Sequence, residues 1–226
     1  MKLIIDLFVA GGVVMIPLLA FSLLAIVLII ERLVFWSRIN RNQRRTVRSM
    51  LISFQDNPES TVPQLKQNAN LPIVRIFLEA LEIPNLSPVG FRLALESATQ
   101  AELPLLRRFN TAFDIIISAA PLLGLLGTIL GLIRSFSSLE LGDLNASNAA
   151  AVTGGISEAL VSTAAGMSIA IFTLIFANLF RGFYRRQLAL IQEYGGQLEL
   201  LYLRRYEEKH GLSGQISDKP ALLMSR

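Results

Sequence analysis

Three residues in this 226-residue chain join a chemically useful side chain to an apolar setting: Thr128, Glu158 and Thr163. Glu158 is the only acidic residue close enough to the interior of a long apolar run to matter there. An ionisable group at membrane depth is costly and marks an ion or proton route. It has a second reading, because an acidic residue in the first turn of a helix complements the helix dipole at a surface. Both readings stand at this level. Threonine hydroxyls hydrogen-bond but do not titrate in a useful range, and a proton path needs a carboxylate or imidazole within reach. The apolar runs supply none at their centres. A proton carrier would therefore come from another chain, with Thr128 and Thr163 lining its site. Glu158 and Thr163 lie about 140° apart around an ideal helix, so they need not face the same point.

Other chemistries find no support. With Cys 0 there is neither a disulfide framework nor a thiolate. The single histidine, His210, sits in a polar stretch, which argues against a histidine metal cluster or a catalytic triad. No Ser/His set, paired intramembrane Asp or metal-ligand set is present, so neither an enzyme nor a cofactor is expected. The net charge of +4 and pI near 9.8 would suit nucleic acid. The arginines, however, cluster beside apolar runs, which is a membrane-topology pattern rather than a nucleic-acid face.

The elements that must position these residues follow from composition. The chain is 52% hydrophobic and only 17% charged, against about a quarter charged in a soluble domain. Its uncharged stretches predict three membrane-spanning helices, at residues 7–30, 115–133 and 159–180, each long enough for about 30 Å of hydrocarbon. Pro17 and Pro121 fall inside two of them, which membrane helices tolerate. The first run is longer than a signal-peptide core and lacks a small-residue cleavage site, so it is expected to be retained.

Arg32, Arg38, Arg41, Arg44, Arg45 and Arg48 follow the first span, Arg107 and Arg108 precede the second, and Arg181, Arg185 and Arg186 follow the third. Three crossings put all of these on one side. The loop at 135–157 carries Glu140 and Asp143 and no Lys or Arg. The positive-inside rule then places the N-terminus outside and the C-terminus in the cytoplasm. Arg134 alone sits on the wrong side.

Residues 31–114 form a cytoplasmic helical region whose Pro58, Pro63, Pro72, Pro84 and Pro88 predict short helices. Ile73, Val74, Ile76, Phe77, Ala80 and Leu81 recur at helical spacing, and Ser87-Pro88 reads as a cap and first turn. Beyond the third span, Tyr184, Leu188, Ile191, Leu198, Leu201 and Leu203 predict a helix over 181–210, weakened locally at Gly195-Gly196. Residues 211–226 read as a disordered tail.

The second and third spans differ from the first. Gly124, Gly127, Thr128, Gly131 and Ser135 form one stripe of small and polar side chains. Ala159, Ser162, Thr163, Gly166, Ala170, Thr173 and Ala177 form another. Such stripes let helices approach closely in lipid. They are either ordinary helix–helix contacts or the wall of a lumen or groove that holds another helix, and the two readings are compatible.

The run Ala120-Pro121-Leu122-Leu123-Gly124-Leu125-Leu126-Gly127-Thr128-Ile129-Leu130-Gly131-Leu132-Ile133, with Phe136, resembles the second-span signature of the ExbB/TolQ/MotA proton-channel family. Gly155-Ile156-Ser157-Glu158-Ala159-Leu160-Val161-Ser162-Thr163-Ala164-Ala165-Gly166-Met167 resembles its third-span signature. The resemblance is close over residues 110–185. It implies an all-α membrane protein of three transmembrane helices with long cytoplasmic helical extensions, assembling as a ring, commonly a pentamer. The ring would surround an ExbD/TolR-like single-span partner that carries an intramembrane Asp, and would drive a TonB-like transducer from the bacterial inner membrane. Residues 1–6 would then be periplasmic, and 134–158 a periplasmic loop leading into the third helix. Thr128 and Thr163 match the family's pore-lining threonines and Glu158 its third-span glutamate. Pro121, Gly124, Gly127, Gly131, Ser162 and Gly166 are expected to pack the helices. Three spans argue against the four-span flagellar branch. The look of the Ala-Pro-Leu-Leu-Gly-Leu-Leu-Gly-Thr run favours an ExbB-like chain over a TolQ-like one. Phe172 stands where the family usually has a proline, so the kink expected there has no residue to make it.

Overall fold

A computed structural model describes residues 11–137 and 146–211 of the chain. Among these, every regular element is an α-helix: α1 Met15–Asp56, α2 Pro58–Gln67, α3 Pro72–Leu81, α4 Pro88–Leu106, α5 Asn110–Ser137 and α6 Ala146–His210. Three segments, Met15–Asp56, Pro88–Ser137 and Ala151–His210, are long and apolar enough to cross a membrane. The expected Asp6, residues 7–10, Glu140, Asp143 and residues 212–226 lie outside the described residues.

Among the described residues the first long helix begins at Met15, after a turn at residues 11–14. Gly11-Gly12 is a poor helix start, and Gly12 has φ +69°, which side-chain-bearing residues rarely adopt. Pro17 consequently falls in the first turn of α1, where its missing N–H breaks no helical bond. At its other end α1 runs on to Asp56, so residues 31–56 are one continuous helix rather than part of a string of short ones. It stops before Pro58, the first proline to follow.

Two compact units make up the chain: Met1–Val34 with Arg108–Gly182, and Phe35–Arg107 with Phe183–Arg226. In the first, α5 and α6 are antiparallel neighbours. Ala120 meets Gly166, Gly124 meets Ser162 and Thr163, and Gly131 meets Gly155 and Ala159. Val14, Leu18, Ala120 and Ala170 are buried together, with Met15, Phe21 and Leu123 packed on them. The bond between Ser135 Oγ and the Val152 carbonyl (3.0 Å) ties one end of the pair. An ion pair of Asp114 with Arg181 ties the other.

In the second unit, α3 buries Ile73, Val74, Ile76, Phe77 and Ala80 of the stripe its spacing predicts, together with Pro72, while Leu81 is half-buried. The Ser87 side chain caps α4 by accepting from the Gly90 N–H at 3.1 Å, as the Ser-Pro pair predicts. Arg75 of α3 donates through Nε and Nη2 to the two carboxylate oxygens of Glu102 on α4, both at 2.6 Å. Hydrogen bonding to Glu102 raises the Arg75 guanidinium above its ordinary value, against the opposing effect of burial. Phe91 stacks on Tyr202 at 3.9 Å. The Tyr202 hydroxyl donates to the Leu86 carbonyl at 2.8 Å, and burial pushes that phenol up. The helix α6 passes through Gly195-Gly196 without a break. A glycine pair costs only about 2 kcal/mol of helix propensity, and Ile191 and Leu198 are buried on either side of it.

Candidate functional site

The candidate site lies in the first unit, where α5 and α6 pack and the turn before α1 reaches them. Its construction follows from side-chain size. A Cβ at Gly124 would come within 2.9 Å of the Ser162 carbonyl and 3.0 Å of the Thr163 Cα. One at Gly131 would lie 2.9 Å from the Ala159 nitrogen, and one at Gly127 would overlap the Ser162 hydroxyl. At Gly166 it would overlap the Ala120 carbonyl. These glycines let the two backbones touch, and each small stripe is filled by the other within the chain. Pro121, by contrast, is half-buried inside α5.

The buried Ser162 hydroxyl donates to the Ala159 carbonyl at 3.0 Å. The half-buried Thr163 hydroxyl donates across to the Gly124 carbonyl at 3.0 Å. Thr128, also half-buried, donates to the Leu125 carbonyl at 2.6 Å, within its own helix. Both threonines therefore sit on the α5–α6 pair, but only Thr163 bridges it. Neither hydroxyl needs its oxygen lone pairs for these bonds, so both remain able to accept.

Glu158 does not lie in the first turn of its helix. Because α6 begins at Ala146, Glu158 lies well inside the helix, beyond the first turn where the dipole acts. Dipole complementation is thus excluded as its reason. Its side chain, 10% exposed, accepts from Arg134 Nη1 through Oε1 at 2.6 Å and Oε2 at 2.5 Å. Arg134, the cation on the wrong side of the charge pattern, is its counter-ion. The turn before α1 comes to the same group: a Cβ at Gly12 would overlap the Glu158 carboxylate.

Sequence reasoning passed over Gly12 and treated Arg134 only as an exception. The one available signal was that exception itself, since an isolated cation near a lone intramembrane carboxylate invites pairing. Among the described residues no group of three or more His, Cys, Asp or Glu could hold a metal ion. His210 stacks on Tyr206 at 4.1 Å in the second unit. No described part of the three apolar runs adds a titratable group between their ends.

Comparison with known proteins agrees with the motifs. The MotA/TolQ/ExbB proton channel family is matched over residues 68–193, more than half of the chain. A relative from Synechocystis sp. described as biopolymer transport protein ExbB-like 3 is 62% identical over 199 residues, covering 88% of this chain and 95% of that one. A second from the same organism, ExbB-like 1, is 38% identical over 208 residues, covering 92% and 82%. The biopolymer transport protein ExbB of Neisseria gonorrhoeae is 31% identical over 134 residues, or 58% of each chain.

Proposed function

Because this chain belongs to the MotA/TolQ/ExbB proton channel family, we propose that it is the stator subunit of a proton-driven motor in a bacterial inner membrane. With an ExbD-like single-span partner it would convert proton-motive force into mechanical work for TonB-dependent transport across the outer membrane. In this reading several copies, commonly five, form a ring around the partner's helices. The N-terminus is periplasmic and the C-terminus cytoplasmic. The partner's intramembrane Asp carries the proton past Thr128 and Thr163, with Glu158 at the outer end of the path.

The observation that carries the reading is the paired spans themselves. They present Thr163 and Thr128 beside a backbone-to-backbone seam, and the runs contain no titratable group of their own. Hydroxyls can relay hydrogen bonds to a proton carrier but cannot be one. The relatives named ExbB support the ExbB-like branch over a TolQ-like one, which would serve envelope integrity instead.

A non-conducting scaffold is the second reading, favoured by the glycine contacts that already fill both small stripes within one chain. Proton flux through vesicles containing the chain and its co-purified partner separates the two. Thr128→Val with Thr163→Val should lower flux about tenfold or more while assembly persists. Full flux in that double variant would leave the scaffold. Recovery of a single-span protein bearing an intramembrane Asp would identify the partner.

A further inference from the structure

Arg134 departs from the charge pattern that orients the three spans, and the structure supplies a reason for its presence. A carboxylate buried without a counter-charge is strongly destabilising. Glu158 is almost wholly buried, too deep in α6 for the helix dipole to help, and receives both of its charged hydrogen bonds from one nitrogen of Arg134. The Arg134 side chain is itself 52% exposed, so it reaches the carboxylate from the open side of the helix pair.

Gly12 closes the arrangement from the turn before α1. Its φ of +69° and the overlap that any Cβ would make with the Glu158 carboxylate are independent demands for glycine. One carboxylate is therefore held at the meeting point of three elements: the turn leading into α1, the last turn of α5 and the interior of α6.

We infer that Arg134 and Gly12 are positioning residues for Glu158. Arg134 fixes its carboxylate at one place. Gly12 admits that carboxylate beneath the start of α1, so the ends of all three spans are joined through a single charge. The inference rests on the proton-channel reading for what Glu158 does, but not for how it is held. Because Nη1 alone makes both contacts, a lysine ammonium can replace the guanidinium where a two-nitrogen fork would not allow it.

The test begins with thermal unfolding of the full chain in mild detergent for Arg134→Ala, Glu158→Ala and the double variant. Coupling predicts that each single change lowers Tm by about 5 °C and that the double variant loses no more than the worse single one. Additive losses overturn the pairing. Flux in partner-containing vesicles is the second readout. Arg134→Ala and Gly12→Ala should each reduce it about tenfold, Arg134→Lys should retain most of it, and the exchange Arg134→Glu with Glu158→Arg should restore part of what Arg134→Glu alone loses. Unchanged flux in Arg134→Ala overturns the positioning role. If single variants fail to fold, Arg134→Lys and the exchange decide: recovery of fold and flux supports the inference, and no recovery in either overturns it. Absence of flux from the unmodified complex would instead sink the channel reading, and the pairing would be judged on the Tm cycle alone.

Discussion

The two units of this chain are packed in opposite senses. In the first, the contacts between helices are made by glycine, alanine and serine: Gly124, Gly131 and Gly166 meet backbone directly, and Ala120, Ala159 and Ser162 are buried. Many of its large apolar residues, among them Leu122, Ile129, Leu160, Ile171 and Ile175, are exposed, while Leu18, Phe113 and Ile116 are buried. In the second unit Phe77, Phe91, Ile73, Val74 and Leu65 are buried. Charged side chains such as Arg204, Glu208, Arg92 and Glu96 occupy the exposed positions there.

The contrast is the one expected between a surface that faces lipid and a surface that faces water. Lipid tails are as apolar as leucine, so nothing drives large side chains inward, and close backbone contact holds the helices. Water expels apolar area, so the second unit gains stability by hiding its largest groups. The multi-pass character of the protein is thus written in which side chains face outward as well as in the length of its apolar runs.

The comparison can be broken by substitutions of opposite size. Phe77→Ala in the second unit should cost about 3–5 kcal/mol through lost burial and the cavity left behind. A loss below about 1 kcal/mol in detergent unfolding would mean this unit is not held by a water-driven core. In the first unit the damaging change is enlargement. Gly166→Leu, which puts a side chain against the Ala120 carbonyl, should destabilise by about 3 kcal/mol. If it is tolerated, the two backbones do not touch as described.

A smaller effect sharpens the contrast in electrostatics. Arg75→Ala removes both hydrogen bonds to the largely buried Glu102. It should cost about 2 kcal/mol, less than a fully buried pair because Arg75 is partly exposed. A neutral result would demote the pair to surface decoration. Smallest of all, Arg204→Ala breaks an exposed pair one helical turn apart. It should change stability by no more than about 0.5 kcal/mol. A larger loss in the same unfolding assay would show that exposed charge does hold the second unit.

Much of this was legible without coordinates. Apolar runs and helical spacing are local properties, so the three spans, the buried face of α3 and the Ser87 cap could be read directly. The small stripes of α5 and α6 were legible as stripes, since periodicity reports that one face differs from the rest. It does not report what that face meets. The ends of α1 have local causes too: Gly11-Gly12 precede its start, and no proline interrupts it between Glu31 and Asp56.

By itself, then, the sequence determined helical class, the number of long apolar helices, the absence of a titratable group inside their apolar runs and the two threonines as polar members of their stripes. Tertiary structure alone decided that the stripes face each other, that Thr163 bridges to Gly124 while Thr128 bonds within its helix, and that Arg134 and Gly12 converge on Glu158. Those contacts join residues far apart in the chain. Their pairing depends on the register of two antiparallel helices, which is set by where glycines let the backbones touch, and no local pattern records that register.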